Sequence, residues 1–130
     1  MTMESYQPKN TRLYKKALEI LTLSRSVSRY LVHDLSALEK NGCENPFIYF
    51  TGDIIKHSDS LVPEIIKAEN QPFQHDRIKH ATSLKNLTNK LYRNCERLER
   101  SNSNGKDFIP LLRKELKKFR RLQRNWMLTL

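Results

Sequence analysis

The chain has 130 residues, 38% of them apolar, with 24 Lys and Arg against 14 Asp and Glu, for a formal charge of +10. A chain of this length folds as one domain, residues 1–130, and buries about two-thirds of the surface it would expose unfolded, so a core is feasible without covalent staples. Cys43 and Cys95 are too few for a disulfide framework, no apolar run reaches the roughly 18 residues of a membrane span, and the opening MTMESYQPKN lacks the apolar centre of a signal peptide. The expectation is a cytoplasmic protein without membrane contact.

Breaker residues punctuate four helical segments, at approximately residues 10–40, 46–69, 72–101 and 105–128. In the first, Leu13, Ala17, Ile20, Ser24, Val27, Leu31 and Leu35 recur at the 3-4 spacing of one helix face, flanked by Leu18, Leu21 and Leu38. Asn41-Gly42 can end that helix with Gly in the left-handed region, and Asn45-Pro46 can open the second as cap and first helical residue. The second stripe is Phe47, Thr51, Ile54, Ser58, Leu61, Ile65 and Ala68. Pro63 falls inside it, and because the register continues from Leu61 to Ile65 a kink is expected. Asn70-Gln71-Pro72 opens the third helix, with Ile78, Ala81, Leu84, Thr88, Leu91, Cys95 and Leu98 on its apolar face. The run from Ser101 to Asp107 connects to a fourth helix with Pro110 in its first turn and a face of Phe108, Leu112, Glu115, Phe119, Leu122 and Trp126. Four stripes of similar length joined by short loops predict an all-α, up-and-down antiparallel four-helix bundle. Ser24, Thr51, Ser58 and Thr88, small and polar inside the stripes, are expected to bond back to carbonyls of the preceding turn.

Catalytic chemistry finds little support in the residue pattern. His75 and His80 lie about 140° apart on a helix and cannot share a metal, and Asp76 with His80 offers only two ligands at a helix start. His33 and His57 stand alone on separate segments. Bundle ribonucleases of the HEPN type pair an Arg with a His a few residues on; Arg29 with His33 and Arg77 with His80 are spaced too closely, and Arg25 with His33 fits only loosely. Cys43 lacks an activating base, Cys95 sits on an apolar stripe, and Gly42, Gly52 and Gly105 form no phosphate loop. Glu96 and Glu99, interleaved with Arg93, Arg97 and Arg100, read as surface ion pairs. No catalytic residue, metal site or cofactor is assigned, and the chain is read as not an enzyme.

Charge carries more information. Residues 1–42 balance at +3, residues 43–70 at −3, residues 71–104 at +4 and residues 105–130 at +6. With Phe108 at zero on a helical wheel, Leu112, Phe119, Leu122 and Trp126 fall within about 40°, while Arg113, Lys117, Arg120, Arg121 and Arg124 fall at roughly 120° to 220°, flanked by Lys114 and Lys118. Lys79, Lys90, Arg93 and Arg97 form a thinner stripe on the third helix. If these helices are neighbours, the stripes merge into one positive surface suited to phosphates, arginine giving bidentate contacts. The sequence therefore predicts nucleic-acid binding through these eleven residues. The alternatives are a protein-interaction or scaffold module docking an acidic partner and, beyond that, a bundle ribonuclease.

Tyr14-Lys15-Lys16-Ala17-Leu18, Gly52-Asp53-Ile54, Glu64-Ile65-Ile66-Lys67-Ala68-Glu69 and Trp126 make the chain resemble the small basic four-helix-bundle family that includes the accessory variability determinant of diversity-generating retroelements and the intervening-sequence proteins of bacterial 23S ribosomal RNA genes. The resemblance implies a non-enzymatic homo-oligomer, a pentameric ring, whose basic surface serves RNA in preference to DNA and a protein partner such as a reverse transcriptase.

Overall fold

The computed structural model describes residues 10–35, 42, 48–101 and 107–130. It is an all-α four-helix bundle of α1 (Thr11–Leu35), α2 (Ile48–Asp59), α3 (Leu61–Asn70), α4 (Gln74–Leu98) and α5 (Ile109–Met127), in which α2 and α3 together make the second helix. The Asn45-Pro46 cap, the Ser101 to Asp107 connection, the side chains of Phe47, His33, Leu35 and Leu38, and Cys43 lie wholly or largely outside the described residues.

Local chemistry sets the ends. Asn10 caps α1 by accepting the Leu13 N–H on its side-chain oxygen at 3.0 Å. Gly42 has a φ of +81°, the left-handed conformation expected there and one that disfavours any residue with a Cβ. Phe73, at the start of α4, offers no side-chain cap. Arg77 ties that corner instead, donating from Nη1 to the carbonyls of Gln71 (3.1 Å) and Pro72 (3.0 Å), and from Nε to the carbonyl of Leu130 (3.2 Å). Pro110 sits in the first turn of α5, where its missing N–H costs no helical bond.

The expected kink at Pro63 is a break at Ser60. Proline cannot donate to the carbonyl of Asp59, and the chain answers one turn earlier: the Ser60 N–H bonds to the carbonyl of His57 at 3.2 Å, and α3 restarts with the Glu64 N–H on the carbonyl of Ser60 at 3.2 Å. The apolar register survives, so Ile54, Leu61, Ile65 and Ala68 are all fully buried.

The α1 stripe is buried as expected from Leu13 to Leu31. The α5 stripe is rotated: Ile109, Leu112, Leu116, Phe119, Gln123 and Trp126 are buried, whereas Phe108 is 44% exposed and stacks on exposed Tyr30 at 5.4 Å between ring centroids. Leu116 and Ile109 fill the interior in place of Glu115 and Phe108. Two of the small polar residues also depart from expectation. Thr88 does bond back, to the carbonyl of Leu84 at 2.8 Å. Ser24 and Ser58 instead join hydroxyl to hydroxyl across α1 and α2 at 2.7 Å, and Ser28 donates to the Thr51 carbonyl at 3.3 Å.

These pairs, 24 with 58 and 28 with 51, run in opposite order along the two helices. The same holds for α4 and α5, where Arg120 meets Asn89 and Arg113 meets Glu99. Each helix of the bundle packs on two neighbours in a closed order: α1 on α2, α2 and α3 on α4, α4 on α5, and α5 on α1. A hydrogen bond also crosses the diagonal. Trp126 of α5, 1% exposed, donates from its indole Nε1 to Oε2 of buried Glu69 on α3 at 3.1 Å.

Candidate nucleic-acid interface

The rotation of α5 decides where its cations go. Arg113 and Arg120 turn toward α4 and are engaged there. Arg113 Nε lies 2.8 Å from Oε1 of Glu99, and its guanidinium sits 5.8 Å from the Tyr92 ring centre. The Arg120 guanidinium lies over the same ring, 4.2 Å from its centre, and donates from Nη2 to Oδ1 of Asn89 at 3.0 Å. These two are seam residues holding α4 to α5, which corrects the expectation that both stand on the outer face. Glu99 likewise reaches across to α5 rather than pairing along its own helix.

Lys114, Lys117, Arg121 and Arg124 are exposed, and among the described residues none enters an ion pair. Lys118 is half exposed and bound to Glu115 at 3.2 Å. The outer face of α5 is thus a strip of free cations with a groove on either side.

The groove toward α1 encloses about 530 Å³ between Arg12, Lys15, Lys16 and Glu19 on one helix and Lys118, Arg121, Leu122 and Asn125 on the other. Lys16, Glu19 and Lys118 of its lining belong to an ion-pair network with Glu115. Lys16 Nζ sits 2.6 Å from Glu19 and 2.7 Å from Glu115, which in turn holds Lys118. The Glu115 hydrogen bond holds the Lys16 ammonium above its ordinary range, and the same bond holds the Glu115 carboxyl below the usual carboxylate range. Within this network opposite charges cancel, so the excess positive charge belongs to the rim: Arg12, Lys15 and Arg121. Arg12, Lys15 and Lys16 were missed by sequence reasoning. The available signal was their position flanking the α1 stripe together with the rule that a closed bundle packs its first helix on its last.

The groove toward α4 encloses about 320 Å³ and is lined by Lys85, Asn89, Arg120, Gln123, Arg124 and Met127. Lys85 is a further cation that sequence reasoning passed over.

Lys85 apart, the cations of the α4 stripe named from the sequence do not merge with those of α5. Lys90, Arg93 and Arg97 border a third depression of about 300 Å³ on the α2 side, shared with Asp53, His57 and Asn94. Arg97 Nη1 donates to Oδ1 of buried Asn94 at 3.2 Å. Burial pushes the His57 imidazole below its ordinary value. Lys79 is exposed nearer the start of α4. The single surface expected from the two stripes is therefore two surfaces, one around α5 and one between α2 and α4.

Of the remaining histidines, His75 is exposed and His80 Nδ1 lies 3.7 Å from Oε2 of Glu64 on α3. Burial pushes the Cys95 thiol up to about 12. No group of three or more His, Cys, Asp or Glu suited to a metal ion occurs among the described residues, and no helix there is long and apolar enough to cross a membrane. No protein-family model, curated protein or solved structure matches the chain.

Proposed function

We propose that this protein binds RNA, as a non-enzymatic accessory, through the basic surface centred on α5. The supporting observation is the strip of exposed cations Lys114, Lys117, Arg121 and Arg124, free of ion pairs among the described residues and widened on the α1 side by Arg12 and Lys15. Cations without carboxylate partners keep their full charge for phosphates, and contacts of this kind give salt-dependent affinity with little sequence preference. The choice of RNA, of a reverse transcriptase as protein partner and of a pentameric ring of copies follows the resemblance set out above. Lys90, Arg93 and Arg97 belong to the same reading as a second, separate contact region.

The test is the salt dependence of RNA binding. Removing Lys15, Lys117 and Arg121 together, all three exposed, should weaken binding at low salt and reduce the slope of log K against log salt by about 2, since each phosphate contact contributes roughly 0.7 to 0.9. Arg113 is left intact because its removal would strip Glu99 of its partner. Equal affinity and equal slope for variant and wild type would refute the proposal.

A further inference from the structure

The groove between α4 and α5 differs in kind from the exposed strip beside it. Lys85, Arg120 and Arg124 line it together with the amides of Asn89 and Gln123, and no carboxylate does. Asn89 already accepts from Arg120 on its oxygen, which leaves its NH2 as a donor. Gln123 is 2% exposed, and its Nε2 makes no hydrogen bond. The buried Arg120 Nε makes none either. An amide placed at the inner edge of a groove without a partner carries a desolvation cost that the fold itself does not offset. The wall thus presents donors and positive charges, and two of its donors, Gln123 Nε2 and Arg120 Nε, have no protein acceptor.

Its shape narrows the ligand further. The Arg120 guanidinium is held at two points, 4.2 Å over the Tyr92 ring centre and by the bond to Asn89, so its place is set before anything binds. Unpaired nucleobases stack on fixed guanidinium planes, and Met127 adds a polarizable apolar wall. A volume of about 320 Å³ lies at the small end of ligand sites, the size of one nucleotide.

We infer that this groove is a subsite for one unpaired nucleotide of a single strand, with Lys85 and Arg124 on the phosphate, the base against Arg120 and Met127, and the Gln123 amide bonding a base acceptor. The inference rests on the RNA-binding reading and adds to it a preference for single strands, because a base within a duplex cannot turn into the groove.

Oligouridylate and an RNA duplex of equal length, titrated against wild type, Gln123→Met and Lys85→Ala, test it. Gln123→Met keeps the charge and approximate volume and deletes an unpaired amide, so its unfolding midpoint should equal or exceed that of wild type. It should weaken oligouridylate binding about three- to tenfold, the worth of one hydrogen bond, and leave duplex binding unchanged. Lys85→Ala, on the exposed side of α4, should cost more on oligouridylate than on the duplex. Oligouridylate binding unaffected by both variants, or losses equal on the two RNAs, would overturn the subsite while leaving the basic surface standing. Wild type that binds neither RNA would overturn the RNA reading itself, and the subsite with it.

Discussion

Replacing Trp126 with Phe isolates a bond that spans the bundle diagonal. The indole Nε1 donates to Glu69 at 3.1 Å in a site where Trp126 is 1% and Glu69 7% exposed, so water cannot replace the lost donor without opening the packing. A hydrogen bond to a carboxylate contributes about 1.5–3 kcal/mol, and the smaller ring forfeits about 1 kcal/mol of packing. Glu69 has a further interaction, which lowers the cost of leaving it one partner short. The expected loss is therefore about 2–3 kcal/mol, a large share of the roughly 5–15 kcal/mol that hold a domain together. Urea unfolding followed by far-UV ellipticity is the suitable assay, since Trp126 is the only tryptophan and the variant is silent in its fluorescence. The midpoint should fall by about 1–2 M at an ordinary slope for this size. Glu69→Gln keeps an acceptor facing the indole and should cost under about 1 kcal/mol. A Trp126→Phe variant within about 0.5 kcal/mol of wild type, or a Glu69→Gln variant costing as much as Trp126→Phe, would refute the assignment of this stability to the indole bond.

Three further outcomes follow from the titrating groups. Glu115 is held below its ordinary value of 4.5 by Lys16, so its contribution is complete above that value and is lost as pH falls through the lowered folded value; Glu115→Gln should flatten the acid limb of the stability profile there. Lys16 contributes in the opposite sense, fully below 10.5 and lost as pH rises beyond its raised value, so Lys16→Met should flatten the alkaline limb. With its thiol pushed up to about 12, Cys95 should resist alkylation in the folded protein at neutral pH and react readily in urea, as measured by mass in a Cys43→Ser background. Equal rates in the two conditions would contradict its burial.

The fold was legible where the apolar residues allow only one stripe. From Leu13 to Leu31, and again from Ala81 to Leu98, a rotation of the helix by one position would bury Lys or Arg, so the pattern has a single solution. In α5 two stripes overlap. Leu112, Phe119 and Trp126 belong to both, and the choice lies between Phe108, Glu115 and Leu122 on one side and Ile109, Leu116 and Gln123 on the other. Counting apolar residues gives no decision, because each set contains one polar residue. The neighbours decide it: Lys16 and Lys118 hold Glu115 outside, while Tyr92 and Asn89 draw Arg120 toward α4. That choice is nonlocal, and it sorts the cations into seam and surface. For the same reason the eleven basic residues could be picked from the sequence but not grouped. Lys90 and Arg120 lie on faces of the bundle that only the closed packing order assigns, and Lys15 joins Arg121 across more than a hundred residues of chain.

The Ser24 and Ser58 contact has a consequence for uniqueness. Purely aliphatic helix faces tolerate sliding, because a Leu displaced by one turn of about 5.4 Å still meets something apolar. With a hydroxyl on each of two facing helices, such a slide would set Ser24 against Ile54 or Leu61 and leave both hydroxyls buried without partners, at about 1–3 kcal/mol each. Ser28 on the Thr51 carbonyl is a second such constraint, one turn along. The pair thus acts as a notch that selects one axial alignment of α1 against α2 from several of similar hydrophobic content. That alignment in turn fixes how far Arg12 and Lys15 extend along α5.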